Sequence, residues 1–331
     1  MKVKIVDEKI ASTILVKSPF PFSIPYAAFA RKRGFTYHIL CDEAEQIFIP
    51  LTISKRRSFY VGIFAHAPIT LAGKPTAEHE KEFIDAVTAY CAKELKCMRI
   101  EPGSTISVYN TYPAGGTAVE LGVFAVDLTR TEDEIFAAFD NKYRTQIRKA
   151  EKEGIEVRFG KNEIGAFAQC YADTHKRQGV SYEPQSFFED MFNTLGEEMV
   201  ICANAYANGK IEAGVFVVHT AYAGYYMYAG SEARTQLKGS TKKILWDCMK
   251  LLKQKGIPTF VLGGARYKNV EGTKFEGIQD FKRRFGAETT DGYIWKKDLN
   301  PLLCKLYDAL FWVRCRLNGS AVPKDIVDSQ L

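Results

Sequence analysis

A mixed α/β architecture built twice in tandem (α+β in detail), each copy a mixed central sheet flanked by helices, is the fold class this sequence predicts. Two observations carry it. From Met199 to Gly286 the chain reads as three strands (MVICANAYA, KIEAGVFVVH and GYYMYAGS), a glycine-bearing loop, an amphipathic helix, a fourth strand and a basic helix. Asn208-Gly209 between the first two strands is a strong hairpin signal. The same order of three strands, loop, helix and strand appears earlier, in residues 35–101, with negligible identity to the later copy. A repeat of pattern without a repeat of letters is most simply a duplicated α/β unit. At 331 residues the chain is long enough for two such domains.

Taken in order, Phe35–Cys41, Gln46–Ile53 and Ser58–Phe64 alternate or run apolar, as strands do. The loop LAGKPT then leads into a helix over Ala77–Leu95, with Phe83, Val87, Tyr90, Ala92 and Leu95 at helical spacing. CMRIE, Cys97–Glu101, reads as a strand stopped by Pro102-Gly103, and Val119–Val126 as another. Thr131-x-x-Glu134 is a capping box, with Asp127, Glu132 and Asp133 adding charge of the favourable sign. It predicts one helix running to Gly154, striped by Ile135, Phe136, Phe139, Tyr143, Ile147 and Ala150, its second half basic at Lys142, Arg144, Arg148, Lys149 and Lys152. Helices over Glu163–Gln178 and Ser186–Leu195 precede the later copy, and each stops at a glycine. After Gly286 come a strand, Thr289–Lys296, and an apolar helix, Pro301–Leu317. The implied division is 1–118 and 119–296, with 297–331 packing back on the first domain.

Composition narrows the function classes. The chain is 46% hydrophobic and 25% charged, with a net charge of +6, which permits an acidic partner without demanding one. No stretch is long and apolar enough to span a bilayer. Acidic residues interrupt what would be the apolar part of a signal peptide in MKVKIVDEKIASTILVK, so a cytoplasmic protein is expected. The eight cysteines include no CxxC pair and read as reduced, mostly buried thiols. The five histidines lack HxxxH or HxH spacing, and no metal is expected.

Three places carry candidate chemistry. The loop QLKGST opens a helix, where free N–H groups and the helix dipole suit phosphate and a small residue lets backbone approach closely. It matches in part the Q/R-x-x-G-x-G/A pattern by which N-acyltransferases of the GNAT type hold coenzyme A, making Gln236, Lys238, Gly239, Ser240 and Thr241 candidate cofactor contacts. A polar turn whose Ser240 or Thr241 caps the next helix is the plainer reading. In the preceding strand, strict alternation puts Tyr226 and Tyr228 on one face and Tyr225 on the other. Tyr228 is a candidate proton donor and Tyr226 a candidate substrate contact, although aromatics packed on a helix would look the same. The strand's own amides could polarise a donor carbonyl. In FKRRFG, Lys282, Arg283 and Arg284 must spread around their helix, as a solvated face or an anion clamp, and Phe281 could stack on a base. The apolar stripe of the last helix reads as a surface docked between domains. A membrane-surface anchor is the lesser reading, because few cations line it.

These residues together resemble the FemABX peptidyltransferases. DLTRTEDEIFAAFDNKYRTQIRKAEKEGIEVRFG (Asp127–Gly160) is similar to a family segment of the form "R-x-x-irkAek-Gv-v", and the likeness continues through THKRQGVSYEPQSFFEDMF, ANGKIEAGVFVV, YYMYAGS and GIQDFKRRFGAE. Agreement is weaker in IPLTISKRRSFYVGIFAHAPI and MRIEPGS. The resemblance implies two tandem GNAT-like domains and transfer of an amino acid from aminoacyl-tRNA to the peptide stem of a peptidoglycan precursor, with no tightly bound cofactor. It places Phe281 and Lys282 at the reaction centre and makes Arg177 and Tyr182 precursor contacts. Arg266, just past the strand TFVLGG, joins the substrate-binding candidates. The chain departs from the family in that strand, which lacks an expected aspartate, and in having no long coiled-coil insertion. QLKGST keeps open an acyl-CoA donor and an amino sugar acceptor in envelope or capsular polysaccharide synthesis. A non-catalytic tRNA- or precursor-binding module and peripheral membrane contact also stay open.

Overall fold

The computed structural model describes residues 1–235 and 238–331. Its first half runs β1 (Val3–Val6), α1 (Glu8–Ile14), α2 (Ile24–Lys32), β2 (Thr36–Asp42), β3 (Ile47–Arg56), β4 (Phe59–Phe64), β5 (Ile69–Thr70), α3 (Ala77–Lys93) and β6 (Arg99–Glu101). The chain continues through β7 (Thr117–Asp127), α4 (Glu132–Ala138), α5 (Asn141–Lys152), β8 (Glu156–Phe159), α6 (Ile164–Gln178) and α7 (Gln185–Leu195). The later copy follows as β9 (Val200–Ala207), β10 (Lys210–His219), β11 (Gly224–Ser231), α8 (Ser240–Gln254) and β12 (Thr259–Arg266). α9 (Lys274–Arg283), β13 (Glu288–Asp298) and α10 (Pro301–Leu317) close the chain.

The thirteen strands of the described residues belong to one sheet, ordered β1-β2-β3-β4-β6-β13-β7-β12-β11-β10-β9-β8, with β5 beside β3. Each half has one parallel pair, β4 with β6 and β11 with β12, and is otherwise antiparallel. The halves exchange strands at the centre. β7, which follows the first half, pairs with β12, while β13, which follows the second, pairs with β6 and lies antiparallel to β7 from Glu288↔Ala125 to Lys296↔Thr117. The repeat read from the sequence is present, but its two copies are stitched into a single sheet.

One face of the second half-sheet packs on α4, α5 and α8 through Ile135, Tyr143, Ile147, Leu245, Trp246 and Phe285. The other face packs on α6 and α7 through Phe167, Tyr171, Phe188 and Phe192, joined by Phe20 and Phe29 from the first half. α3 covers the first half-sheet through Phe83, Ile84 and Val87. All eight cysteines are free and buried.

Three expectations change. The region before Phe35, unread in the sequence, forms a strand and two helices. The single helix expected over residues 131–154 is two. The Thr131 capping box forms as expected, but Phe139 turns extended (ψ 147°) and Asp140 caps a second helix by accepting from the Lys142 N–H. The apolar stripe runs unbroken through this bend, which is why periodicity hid it. α10 does not dock between domains. It lies on the first half, with Cys304 packed against Val61 and Met98, Tyr307 edge-on to Phe59, and Asp308 accepting from both terminal nitrogens of Arg99 at 2.8 Å. Among the described residues, no helix is long and apolar enough to cross a membrane.

Candidate active site

The parallel pair β11–β12 holds only at Gly224↔Phe260 and Tyr225↔Val261. Just beyond it both strands bulge. On β11, Met227 is the extra residue, since Val217 opposes Tyr226 and Phe216 opposes Tyr228. On β12 it is Leu262, since Val261 opposes Ala125 and Gly263 opposes Phe124. A bulge bends its strand and sharpens the local twist, so two side by side splay the strands apart. Gly263 follows the second bulge at φ +88°, which a side chain would strain. The facing edges from Tyr226 and from Leu262 onward therefore carry backbone donors and acceptors outside the parallel ladder.

The Met227 bulge corrects the expected facing of the tyrosines. Tyr226 packs on the α8 side, near Phe260, whereas Tyr228 packs on the α6/α7 side against Tyr171, Phe187 and Phe188. Tyr228 thus shares a face with Tyr225, because the extra residue inverts the alternation. Burial pushes the Tyr228 phenol well above its usual range, and Tyr226 likewise. Both stay protonated at neutral pH.

α9 aims a lysine at this notch. Thr273 caps the helix, and its two buried residues are Gln279 and Lys282, one turn apart. Lys282 Nζ donates to the Gly264 carbonyl at 2.8 Å and stands 5.7 Å from the centre of the Phe124 ring. Among the described residues no carboxylate pairs with it, and burial lowers its pKa to about 8. The neighbouring cations part as helical geometry requires. Arg283 lies over Phe124, while Arg284 pairs with Asp280 at 2.8 Å. Phe281 is packed against Tyr143 and Phe285, so its ring is committed to the core and is not presented for stacking on a base.

Gln279 was not singled out in the sequence. It is 2% exposed, and neither amide atom has a hydrogen-bond partner among the described residues. The signal was available, since Gln279 and Lys282 are spaced i, i+3 on one helix face, but a glutamine in a basic helix reads as solvated.

The QLKGST loop does not look like an open phosphate cradle. Gln236 lies outside the described residues; Lys238 is exposed, Thr241 half-buried, and Gly239 and Ser240 buried. Gly239 has φ +118°, and a Cβ there would come within 2.6 Å of the Gln146 carbonyl, so α5 crosses directly over the turn. At the start of α8, the Ser240 hydroxyl donates to the carboxylate of Glu212 at 3.3 Å, and Glu212 is 2% exposed. The positive end of the helix already faces an anion of the protein itself.

The remaining candidates are each engaged by other neighbours. Arg177 donates to Thr174 and to the Ser231 carbonyl, tying the end of α6 to the end of β11 beside the splay. Tyr182 is exposed, with Lys176 5.5 Å from its ring centre. Arg266 stacks at 3.8 Å on Phe275 and donates to Ser329, so the C-terminal tail occupies it.

The structure also brings together residues far apart in sequence. A cavity of about 440 Å³ between the halves is lined by His66, Lys74, Glu80, Asn110, Tyr222 and Tyr225 among others. Burial lowers His66 to about 4 and raises Glu80 to about 7, and the Tyr225 hydroxyl has no partner among the described residues. Its position marks the closed end of the β11–β12 pair.

Residues 122–210 match the FemAB family. No curated protein matches the chain in sequence. Among solved structures, FemX superposes with a TM-score of 0.71 at 13% identity, over 92% of this chain and 99% of its own. A tandem GNAT protein from the clavulanic acid biosynthesis pathway gives 0.55 at 7% identity, over 91% and 99%. The C-terminal domain of a putative lysylphosphatidylglycerol synthetase from Agrobacterium fabrum gives 0.54 at 16%, over 92% and 96%. These likenesses show the fold, a tandem GNAT-like α/β architecture. The resemblance read from the sequence is met by the family match over residues 122–210.

Proposed function

We propose that this chain forms an amide by moving an aminoacyl group from aminoacyl-tRNA to an amine on the peptide stem of a peptidoglycan precursor, on the cytoplasmic side of the membrane. The observation that carries the reading is a buried lysine without a carboxylate partner, held against a splayed pair of strands. In this reading 1–118 and 119–296 are the two tandem domains, and the second holds the reaction. The acceptor amine attacks the ester carbonyl, whose carbon becomes tetrahedral and whose oxygen gains negative charge. Lys282, as a cation, and the free amides of β11 stabilise that oxygen. Collapse breaks the ester bond, the tRNA ribose oxygen leaves with a proton, and the amine gives up its own. Tyr228, protonated at neutral pH, is assigned to hand its proton to the leaving oxygen and to regain one from the amine.

Gln279 offers one donor and one acceptor in the same buried place, the complement of a peptide group, which supports a peptide acceptor. The exposed basic face of α5, with Lys142, Arg148 and Lys152, suits the tRNA backbone. Arg177, Tyr182 and Tyr226 are assigned to the precursor. The Glu212 carboxylate at the start of α8 weighs against an acyl-CoA donor.

The test is mass spectrometry of a peptidoglycan precursor incubated with the protein and a pool of aminoacyl-tRNAs. The expected product is the precursor heavier by one amino-acid residue, with the rate reduced on the order of 10²–10³-fold in Lys282→Met. An unmodified precursor, or a rate indifferent to that substitution, would refute the assignment.

A further inference from the structure

We propose that α10 is a docking element that lies in the surface of an anionic lipid bilayer. Leu302, Leu306, Leu310, Val313 and Leu317 recur at spacings of four, four, three and four, so they form one stripe along the helix. The stripe faces outward, with exposures of 79%, 51%, 50%, 46% and 83%. The opposite face, through Cys304, Tyr307 and Cys315, is the one that seats the helix on the protein. A surface helix ordinarily turns its apolar stripe inward. This one, about 25 Å long at 1.5 Å per residue, turns it out.

Charge identifies the occupant. At roughly 100° per residue, Arg314 borders the stripe on one side, and Lys305 and Arg316 border it on the other. Cations in that position keep their heads at the phosphate level while the apolar face enters the acyl boundary. Trp312, 50% exposed and stacked with Arg316, is a residue type enriched at that depth. Neither Lys305 nor Arg314 forms an ion pair among the described residues. Beside the helix is a groove of about 1150 Å³, walled by Leu310, Phe311 and Leu317 and holding both Arg57 and Arg314. Its acidic residues are already engaged: Glu101 with Arg56, Asp308 with Arg99, and Asp325 and Asp328 with Lys296. The unpaired charge beside the apolar surface is therefore positive. A second copy docked face to face would oppose these cations to one another, whereas anionic headgroups would neutralise them. The scarcity of cations that makes the sequence a poor anchor is relieved in the fold by Arg57, which no reading of the helix alone would include.

The proposal does not depend on the transfer reaction and is tested without it. The full chain is co-sedimented with vesicles of equimolar phosphatidylglycerol and phosphatidylcholine, and with vesicles of phosphatidylcholine alone. The expected result is binding to the first that exceeds the second. Leu306→Gln with Leu310→Gln, at sites already in solvent, should weaken it on the order of a hundredfold with an unchanged melting temperature. Arg314→Gln should weaken it about fivefold on the anionic vesicles only. Equal binding to both vesicles would overturn the charge argument. Absence of vesicle binding, or a dimer in analytical ultracentrifugation that the double substitution dissolves, would overturn the proposal in favour of a second copy.

Discussion

The two halves share a strand order and one parallel pair each, yet only one pair opens. In the first half β4 and β6 stay paired over Val61↔Arg99, Gly62↔Ile100 and Ile63↔Glu101. The space beside them is filled, since a Cβ on Gly62 would meet Ile100 at 2.6 Å and Leu51 at 3.2 Å. Just before β6, the Met98 carbonyl accepts from Leu299, Asn300 and Cys304 at the start of α10. In the second half β11 and β12 part after two residue pairs, both bulge, and the group that enters is the ammonium of Lys282. Strand order alone therefore does not open a notch in this architecture. What separates the halves is a parallel ladder that stops after two pairs with a charge buried beside it, against an apolar plug and a covering helix.

The sharpest way to break this contrast is to make the second notch resemble the first. Burial lowers Lys282 from the ordinary 10.5 to about 8 in the folded chain. Between those values the unfolded chain holds a proton that the folded chain lacks, so stability rises as pH climbs from about 8 to about 10.5. The full penalty applies below 8. Lys282→Met removes it, and the variant should be more stable at pH 7 by up to about 3 kcal/mol, a gain that shrinks as pH rises above 8. Chemical denaturation at pH 7 and at pH 10 reads both numbers. A destabilised variant at pH 7 would mean that Lys282 supports the fold rather than a reaction.

Gln279 sharpens the same point at a smaller scale. Leaving a buried polar group unpaired costs on the order of 1–3 kcal/mol. Gln279→Leu keeps most of the volume and deletes both unpaired atoms, so it should raise stability by about 1–2 kcal/mol while raising KM for the acceptor. Thermal melts and steady-state kinetics measured on one preparation would separate the two effects. A variant that loses stability would show that Gln279 is satisfied by bound water and serves the core.

Much of this contrast was legible in the sequence, and what was not has definite causes. The hairpin at Asn208-Gly209, the capping box at Thr131 and the stop signals at Gly179 and Gly196 act within a few residues, and each formed where it was read. Lys282 was legible as a candidate because its helix is conspicuously basic and FKRRFG resembles the F-K pair of the FemABX family. The bulges at Met227 and Leu262 were not, because a bulge is defined by the partner strand, and ordinary alternation fits GYYMYAGS equally well. That single residue put Tyr228 on the wrong face in the sequence reading. The exchange of β7 and β13 and the bend at Asp140 escaped for related reasons, being decided by packing across the sheet and by competition between two helix caps. The outward stripe of α10 has the periodicity of a buried one, and only the fold says which way it faces.

The smallest expected effect bears on the donor. If the α8 N-terminus is occupied by Glu212, the second half has lost the anion site that a coenzyme A pyrophosphate needs. Glu212→Gln keeps an acceptor for Ser240 and removes the charge, so the favourable interaction with the helix dipole is lost at a cost of about 0.3–1 kcal/mol. Calorimetric titration of the unaltered protein with coenzyme A should then show no saturable binding, and the substitution should not create a tight site, because α5 still crosses over Gly239. Saturable micromolar binding to the unaltered protein would reverse this ordering. It would mean that the carboxylate moves aside for a phosphate, and the acyl-CoA donor would displace aminoacyl-tRNA as the preferred reading of the second notch.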